Sequence, residues 1–252
     1  MNLKEILEIG KIGIPRNMST EDLIKIPQGT TIIGIIYNKG EGVVMAGDRR
    51  ATMGHVISLD DIKKIIIIDN FTSMGMAGVI GIAFRIANIF KLAVENFRKI
   101  NQKPMTMEGK TNILSAILMK NFELSLKGLV ATPLLAGYSL NENKAKLFSY
   151  DLLGTKNEKM DFEAIGSGSS HAKDSVKKFY RKNITQETAV MLALEALIET
   201  SQEDAATGAI QFLKNIYPQV IIINADGTYE LPEEEITTIC QKIITRIKTE
   251  AI

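Results

Sequence analysis

The sequence has little of what disulfide-stabilised or metal-binding proteins need. It contains one cysteine, Cys240, and two histidines, His55 and His171. A single cysteine excludes an internal disulfide framework and fits a reducing compartment. Because zinc is usually held by cysteine and histidine, we expect no zinc site, and we expect no other metal and no cofactor. Cys240 lies in a predicted amphipathic helix with no histidine after it, so we interpret it as a packing residue.

Long apolar segments and an excess of charge are also missing. No apolar run approaches the roughly 18 residues of a membrane span. The net charge is +1 at pH 7, so nothing indicates nucleic acid or an anionic membrane as a partner. Lys4, Glu5, Glu8 and Lys11 interrupt the apolar core that a secretory signal would need. We therefore expect a cytoplasmic protein.

The sequence is long enough for one large domain, and a segment with a different residue pattern precedes this domain. Residues 1–29 hold two short helix-capable pieces interrupted by Gly10, Gly13, Pro15 and Pro27, with no strong hydrophobic period. We interpret them as a detachable or loosely packed leader, although a disordered tail would look the same. The domain itself is predicted over residues 30–252.

Alternating and helical hydrophobic patterns predict the elements of this domain. Hairpins are expected over residues 30–46, 65–76 and 134–149, and single strands over 160–165 and 220–224. Helices are expected over residues 78–100, 107–126, 170–180, 187–202 and 234–248. Strands and helices do not alternate strictly, so a doubly wound fold is not indicated. Two antiparallel sheets packed face to face, with helices on both outer faces, would bury every apolar face. The predicted fold is thus an α+β, four-layer αββα sandwich.

The first strand begins at Gly29-Thr30-Thr31. Cleavage before Thr30 would give this residue a free α-amino group beside its own hydroxyl, which is a nucleophile and its general base in one residue. Taken alone, a Gly-Thr-Thr sequence before a strand is more often only a turn and a strand start.

Three more positions could carry chemistry, and each has an ordinary structural alternative. Asp48 follows a buried strand and could be a simple turn residue. Lys64 enters an apolar strand, where it either snorkels to solvent or is buried against a carboxylate and lowers the pKa of a neighbouring amine. Gly78 lies at a strand-to-helix junction, where its N–H suits an oxyanion but a glycine also suits a plain steric need.

Two polar segments follow helices or strands later in the chain. Residues 166–170, Gly-Ser-Gly-Ser-Ser, join a strand to a helix and could cradle a phosphate. They lack the spacing of a nucleotide-binding loop, and a serine helix cap is the ordinary alternative. Residues 204–208, Asp-Ala-Ala-Thr-Gly, follow a helix and could be a simple turn.

The order of these pieces is more specific than any one of them. They are Gly-Thr-Thr at 29–31, Gly-Val-Val-Met-Ala-Gly-Asp-Arg-Arg-Ala-Thr at 42–52, Lys-Lys at 63–64, Met-Ala-Gly at 76–78, Pro-Leu-Leu-Ala-Gly-Tyr at 133–138, Gly-Ser-Gly-Ser at 166–169 and Ala-Thr-Gly at 206–208. In this order the chain resembles the proteasome β-subunit family, bacterial type, over about residues 30–235. Active members of that family are N-terminal-nucleophile threonine proteases.

The resemblance implies a catalytic set. Thr30 would be the nucleophile, freed when the chain cleaves itself between Gly29 and Thr30 and loses residues 1–29 as a propeptide. Its own α-amino group, acting through a water, would take the proton from the hydroxyl. The other implied members are Asp48, the carboxylate paired with the active-site lysine Lys64, and the oxyanion donor Gly78. Ser167 and Asp204 would orient the threonine amine, and Thr207 would belong to the same polar network. Thr207 stands where many relatives have serine, but it keeps a hydroxyl.

The resemblance also implies a substrate pocket, lined by Ala51, Thr52, Ile62, Ile66, Met76, Ile80 and Phe84. Most of these residues are apolar, so we expect cleavage after bulky apolar residues. The preference should be soft, because one methylene in such a pocket contributes only about 1–3 kcal/mol.

The partners that the resemblance implies are other β subunits in a seven-membered ring, α-type subunits in flanking rings, a ring ATPase that unfolds substrates, and the polypeptide substrates themselves. The leader would then assist or time assembly as well as mask Thr30. Three alternatives stay open: a catalytically silent ring subunit, the simpler bacterial relative that pairs directly with an ATPase, and a phosphate-binding module built on residues 166–170. Silent subunits usually lose the threonine, the lysine or the aspartate, whereas this chain keeps all three.

Overall fold

The computed structural model describes residues 5, 8, 11–13, 29–53, 56–208, 210–211 and 214–250. The strands are β1 (Thr31–Tyr37), β2 (Gly42–Gly47), β3 (Ala51–Met53), β4 (Val56–Leu59), β5 (Ile65–Asp69), β6 (Thr72–Gly78), β7 (Ala131–Ser139), β8 (Lys144–Tyr150), β9 (Lys156–Lys159), β10 (Phe162–Gly166), β11 (Gln219–Asn224) and β12 (Gly227–Glu230). The helices are α1 (Ile80–Asn101), α2 (Met107–Lys120), α3 (Phe122–Leu126), α4 (Ser169–Phe179), α5 (Gln186–Glu203) and α6 (Glu233–Glu250). In this described part of the chain, no helix is long and apolar enough to cross a membrane.

The strands form two antiparallel five-stranded sheets and one small hairpin. The first sheet has the order β10-β1-β2-β11-β12, the second has the order β5-β6-β7-β8-β9, and β3 pairs with β4. The side chains of β1 point alternately to the two faces of the first sheet, as in any strand, and both faces are buried. Ile33 and Ile35 pack towards the helices, whereas Ile32 and Ile36 pack towards the second sheet.

Three apolar clusters hold the layers together. One lies between the first sheet and helices α4, α5 and α6, and includes Val44 and Leu197. The second lies between the two sheets and includes Met45 and Leu134. The third lies between the second sheet and helices α1 and α2, and includes Phe90. This is the predicted four-layer αββα sandwich, so the fold prediction is confirmed.

The helix predicted over residues 107–126 is broken at Asn121. The Asn121 N–H donates to the carbonyl of Leu118 at 3.0 Å, and its side-chain amide donates to the carbonyl of Ile117 at 2.9 Å. Asparagine side chains compete in this way for backbone partners and end helices. The apolar period continues through the break, from α2 into α3, so periodicity alone could not reveal it.

Four strands were not predicted: β3, β4, β9 and β12. β9 has the polar sequence Lys-Asn-Glu-Lys and forms one edge of the second sheet, where polar residues are common. The strand predicted over residues 160–165 is β10, which begins at Phe162. The other predicted strands and helices lie within about two residues of the observed bounds, apart from the earlier start of β7 at Ala131.

Most of the leader lies outside the described residues. Glu5 and Glu8 are helical. Ile12 is buried with the cluster under α1 and α2, and its N–H donates to the side-chain oxygen of Asn121 at 3.0 Å. One described point of the leader therefore contacts the break between α2 and α3.

Candidate active site

Strand pairing brings the predicted nucleophile and carboxylate together. β1 and β2 run antiparallel with Ile32 opposite Gly47, so the residues before β1 lie beside those after β2. This places Thr30 next to Asp48. Lys64 arrives from the second sheet, just before β5, where its carbonyl accepts the Met76 N–H at 3.1 Å. The site thus lies at one end of the sandwich, where both sheets contribute residues.

Asp48 is surrounded by hydrogen-bond donors. It is only 1% exposed, and each of its five contacts comes from an N–H or O–H group. Its Oδ1 accepts from Thr30 Oγ1 at 2.9 Å, Thr31 N at 2.8 Å and Lys64 Nζ at 2.8 Å. Its Oδ2 accepts from Arg50 N at 2.9 Å and Gly208 N at 2.8 Å. A carboxylate that only accepts hydrogen bonds is ionised. Asp48 therefore supplies a fixed negative charge against the Thr30 hydroxyl.

Lys64 is the counter-charge of this carboxylate. Its side chain is 3% exposed, and its ammonium group donates to Asp48, to the carbonyl of Arg50 and, at 3.4 Å, to the carbonyl of Gly29. Burial lowers the pKa of Lys64, and the charge of Asp48 offsets part of that effect. The three contacts use all three N–H groups of the ammonium, so Lys64 binds as a cation and holds the Gly29 carbonyl beside a positive charge.

Ser167, Asp204 and Thr207 form a second polar cluster against Thr30. Ser167 N donates to the Thr30 carbonyl at 3.0 Å, and the hydroxyls of Ser167 and Thr207 each donate to Asp204 Oδ2 at 2.6 Å. Burial raises the pKa of Asp204, but these hydrogen bonds outweigh it and the net pKa is lowered. The structure therefore places an ionised carboxylate one serine away from Thr30.

Two glycines at the site have no room for a side chain. Gly29 has φ +89°, and a Cβ there would lie 2.8 Å from Thr52 Oγ1. Gly78 has φ +106°, and a Cβ there would lie 2.2 Å from the carbonyl oxygen of Val130. Left-handed backbone and close packing both require glycine at these positions.

Two cavities adjoin the polar residues. The cleft at Thr30 is also lined by Gly29, Thr52, Gly78 and Ser167. The smaller neighbouring pocket is lined by Lys64, Ile66, Met76, Ile80, Ala83 and Phe84. Four of the seven predicted pocket residues thus share one pocket, and Thr52 lies in the cleft beside it.

Ala51 and Ile62, although both lie in the described chain, are not among the residues that line either cavity. Ala51 is fully buried in β3, and the Ile62 N–H donates to the carbonyl of Arg49. Ala83 lines the pocket but was not predicted. Its position three residues after Ile80 puts it on the same helix face, and this spacing could have identified it.

Sequence reasoning also missed donors that come from the backbone. The N–H groups of Arg50 and Gly208 donate to Asp48. The side chain of Thr31 was also not predicted as part of the site, and its hydroxyl lies 2.7 Å from the Thr207 hydroxyl. No residue type signals a backbone donor, so only the fold could reveal Arg50 and Gly208. Among the described residues, histidine, cysteine, aspartate and glutamate form no group of three that could hold a metal ion.

Comparison with known proteins identifies the family. The model of the family described as "Proteasome subunit" matches residues 26–211. The chain is similar to the protein named proteasome subunit beta of Streptomyces griseus, with 36% identity over 236 residues that cover 92% of this chain and 83% of that protein. It is similar to the proteasome subunit beta of Frankia casuarinae, with 37% identity over 87% of this chain and 80% of that protein. It is likewise similar to the proteasome subunit beta of Nocardia farcinica, with 39% identity over 86% of this chain and 77% of that protein. The chain therefore belongs to the proteasome subunit family and is a β-type protease subunit of a proteasome core.

Proposed function

We propose that Thr30 is the nucleophile of an N-terminal threonine peptidase. The observation that carries this proposal is the linkage Thr30–Asp48–Lys64, in which the hydroxyl donates to a buried carboxylate that is itself paired with a buried ammonium. A hydroxyl becomes an effective nucleophile when an adjacent group can take its proton.

Self-cleavage must come first, and in the uncleaved chain Thr30 has an amide instead of an amine. Asp48 is then the acceptor for the hydroxyl proton, because its oxygen lies 2.9 Å from Thr30 Oγ1. The Oγ1–carbon bond forms at the Gly29 carbonyl, the Gly29–Thr30 peptide bond breaks, and the Thr30 nitrogen takes the proton. Lys64, 3.4 Å from the Gly29 oxygen, favours the negative charge that develops there. Water then hydrolyses the ester and releases residues 1–29.

In the processed chain, the new α-amino group serves as the general base. An α-amino group titrates at about 7.7–8.0, which is close to the ideal for a base that works at neutral pH. Lys64 keeps this amine from binding a proton too tightly, and Ser167 and Asp204 orient it. Gly78 lines the cleft beside Thr30, and its N–H would stabilise the oxyanion of the substrate carbonyl.

The test of this assignment is covalent labelling of the assembled protein by a short apolar peptide that carries an electrophile. We expect the label on Thr30, and its attachment elsewhere would contradict the assignment. A peptide of the same sequence without the electrophile should protect Thr30 from labelling.

The pocket beside Lys64 sets the preference for apolar residues before the cleaved bond. Ile80 is half-buried at the start of α1 and lines this pocket. We expect Ile80→Ala to enlarge it and to raise kcat/KM for a large aromatic residue, relative to a small apolar one, by about tenfold. The matched control is Ile100→Ala on the same helix, where Ile100 is 62% exposed. An unchanged ratio in Ile80→Ala would show that another pocket selects the substrate.

Assembly completes the proposed function. We place the chain in a seven-membered β ring between α-type rings in the cytoplasm, fed with unfolded polypeptides by a ring ATPase. Enclosure would keep an unspecific protease away from other proteins.

The leader is proposed to assist assembly, supported by the contact of Ile12 with Asn121. Deleting residues 2–29 should lower the yield of assembled particles in co-expression with an α-type subunit, as measured by size-exclusion chromatography. A normal yield would contradict this role.

A further inference from the structure

Thr31, the residue after the proposed nucleophile, connects the two polar clusters of the site. It is fully buried. Its N–H donates to Asp48 Oδ1 at 2.8 Å, and its hydroxyl lies 2.7 Å from the hydroxyl of Thr207. Thr31 thus contacts Asp48 directly. It also contacts Thr207, which is hydrogen-bonded to Asp204.

Thr31 is linked to Asp204 by two hydrogen bonds through Thr207, and their donors and acceptors can be arranged in only one way. An ionised carboxylate only accepts, so the single hydroxyl proton of Thr207 goes to Asp204 Oδ2. Thr207 must therefore accept the proton of the Thr31 hydroxyl. Thr31 in turn accepts the Gly168 N–H at 3.1 Å, which can only donate. Each member of the chain Gly168–Thr31–Thr207–Asp204 is therefore assigned as donor towards the next.

Close packing fixes this chain in place. Thr31 and Thr207 both have 0% exposure. A Cβ at Gly168 would lie 2.5 Å from Thr31 Oγ1 and 2.9 Å from Thr207 Oγ1, so the backbone approaches the two hydroxyls as closely as glycine allows. Turning the Thr31 hydroxyl away would break its hydrogen bonds with the Gly168 N–H and the Thr207 hydroxyl.

We propose that Thr31 is a positioning residue of the peptidase site, whose hydroxyl holds Asp204 in place through Thr207. The inference rests on the proposed function of Thr30 and deepens it. Asp204 reaches Thr30 through Ser167, whose hydroxyl lies 2.6 Å from Asp204 Oδ2 and 3.3 Å from the Thr30 carbonyl oxygen. A displaced Asp204 would leave Ser167, and with it the threonine amine, in the wrong orientation.

The experiment compares Thr31→Val, which keeps the shape and loses the hydroxyl, with Thr31→Ser, which keeps the hydroxyl. Both are measured as processed, assembled particles with a peptide that has an apolar residue before the cleaved bond. In Thr31→Val we expect kcat to fall about tenfold, since a buried hydrogen-bond partner is lost, with KM unchanged. Thr31→Ser should retain the wild-type values.

The pH profile separates positioning from simple loss of structure. Donation by Thr207 stabilises the charged form of Asp204, and without Thr31 that donation weakens. Lys64 and His171 also act on Asp204 through their charges, but neither is changed in either variant. The pKa of Asp204 should therefore rise, and the acid limb of kcat should move to higher pH, in Thr31→Val but not in Thr31→Ser. A Thr31→Val enzyme with the wild-type kcat and acid limb would overturn the proposal.

A second pair of variants covers failure of Thr31→Val to assemble. Thr207→Val and Thr207→Ser interrupt and preserve the same chain one residue further on, and the same shift of the acid limb is expected in Thr207→Val alone. An unshifted limb there would overturn the proposal as well. These variants do not test the nucleophile. The proposed function itself is tested separately, since peptidase activity that survives in Thr30→Ala would refute it.

Discussion

Replacing Thr30 by alanine is expected to leave residues 1–29 attached to the chain and to lower peptidase activity by about 10⁴-fold or more. The magnitude follows from removal of a catalytic nucleophile, for which losses of this size or larger are typical. The self-cleavage and the peptidase reaction should be lost together, because both use the same oxygen atom. Intact mass of the assembled chain reports the first loss, and hydrolysis of an apolar peptide reports the second.

Thr30→Ser is the matched control for this experiment. Serine keeps a hydroxyl within reach of Asp48, so cleavage before residue 30 and measurable peptidase activity should remain. Loss of Thr31 Oγ1 in Thr31→Ala would remove a neighbouring hydroxyl without removing the nucleophile, and such a chain should still be cleaved. A Thr30→Ala chain that begins at residue 30, or that hydrolyses peptides at the wild-type rate, is incompatible with the account.

The second large effect is expected at Asp48. Asp48→Asn keeps the size of the side chain but turns one acceptor oxygen into a donor, and the Lys64 cation loses its counter-charge. Breaking one partner of a buried ion pair typically costs about 3–5 kcal/mol, so the urea midpoint of the unassembled chain should fall strongly. Peptidase activity should also be lost, because self-cleavage, in which Asp48 accepts the Thr30 hydroxyl proton, would no longer free the Thr30 amine.

Two controls separate the loss of charge from the loss of chemistry. Glu95→Gln breaks the exposed pair of Glu95 with Lys99 on α1 and should change neither stability nor activity, as is usual for surface pairs. The double variant Asp48→Asn with Lys64→Met removes both buried charges and should recover part of the stability without recovering activity. An active Asp48→Asn chain with wild-type stability would remove the basis for the proposed role of Asp48.

The layered fold could be predicted because most of its elements bury a regular apolar face. α1 and α5 have apolar residues at helical spacing, and β1 and β2 alternate between two buried faces, so period and length identified them. β9 and β12 lie at or near sheet edges and bury little, which leaves no period to detect. The break at Asn121 depends on a side-chain hydrogen bond inside a continuous apolar pattern, and composition does not reveal it.

The site was harder to predict from individual residues than from the order of the motifs along the chain. Asp48 alone is indistinguishable from a turn residue, and Lys64 alone from a lysine that reaches solvent. What makes Asp48 unusual is its set of five donors, and two of those are backbone N–H groups from Arg50 and Gly208 that only the tertiary structure brings together. The catalytic roles of these residues stay predictions, although the residues themselves lie side by side.

The predicted specificity pocket shows the same limit, and its role in substrate binding stays a prediction. Ile66, Met76, Ile80 and Phe84 share one pocket, as the resemblance implied. Ala51 lies in β3, a strand that the sequence did not predict, and it is fully buried and does not line that pocket.

The nucleophile and the self-cleavage can be checked together by the intact mass of the wild-type chain, purified after co-expression with an α-type subunit. We expect chains in fully assembled particles to begin at Thr30, with residues 1–29 removed, while Thr30→Ala chains prepared in the same way keep the leader. Wild-type chains that retain residues 1–29 in fully assembled particles would refute the role of Thr30 and would indicate a catalytically silent structural subunit.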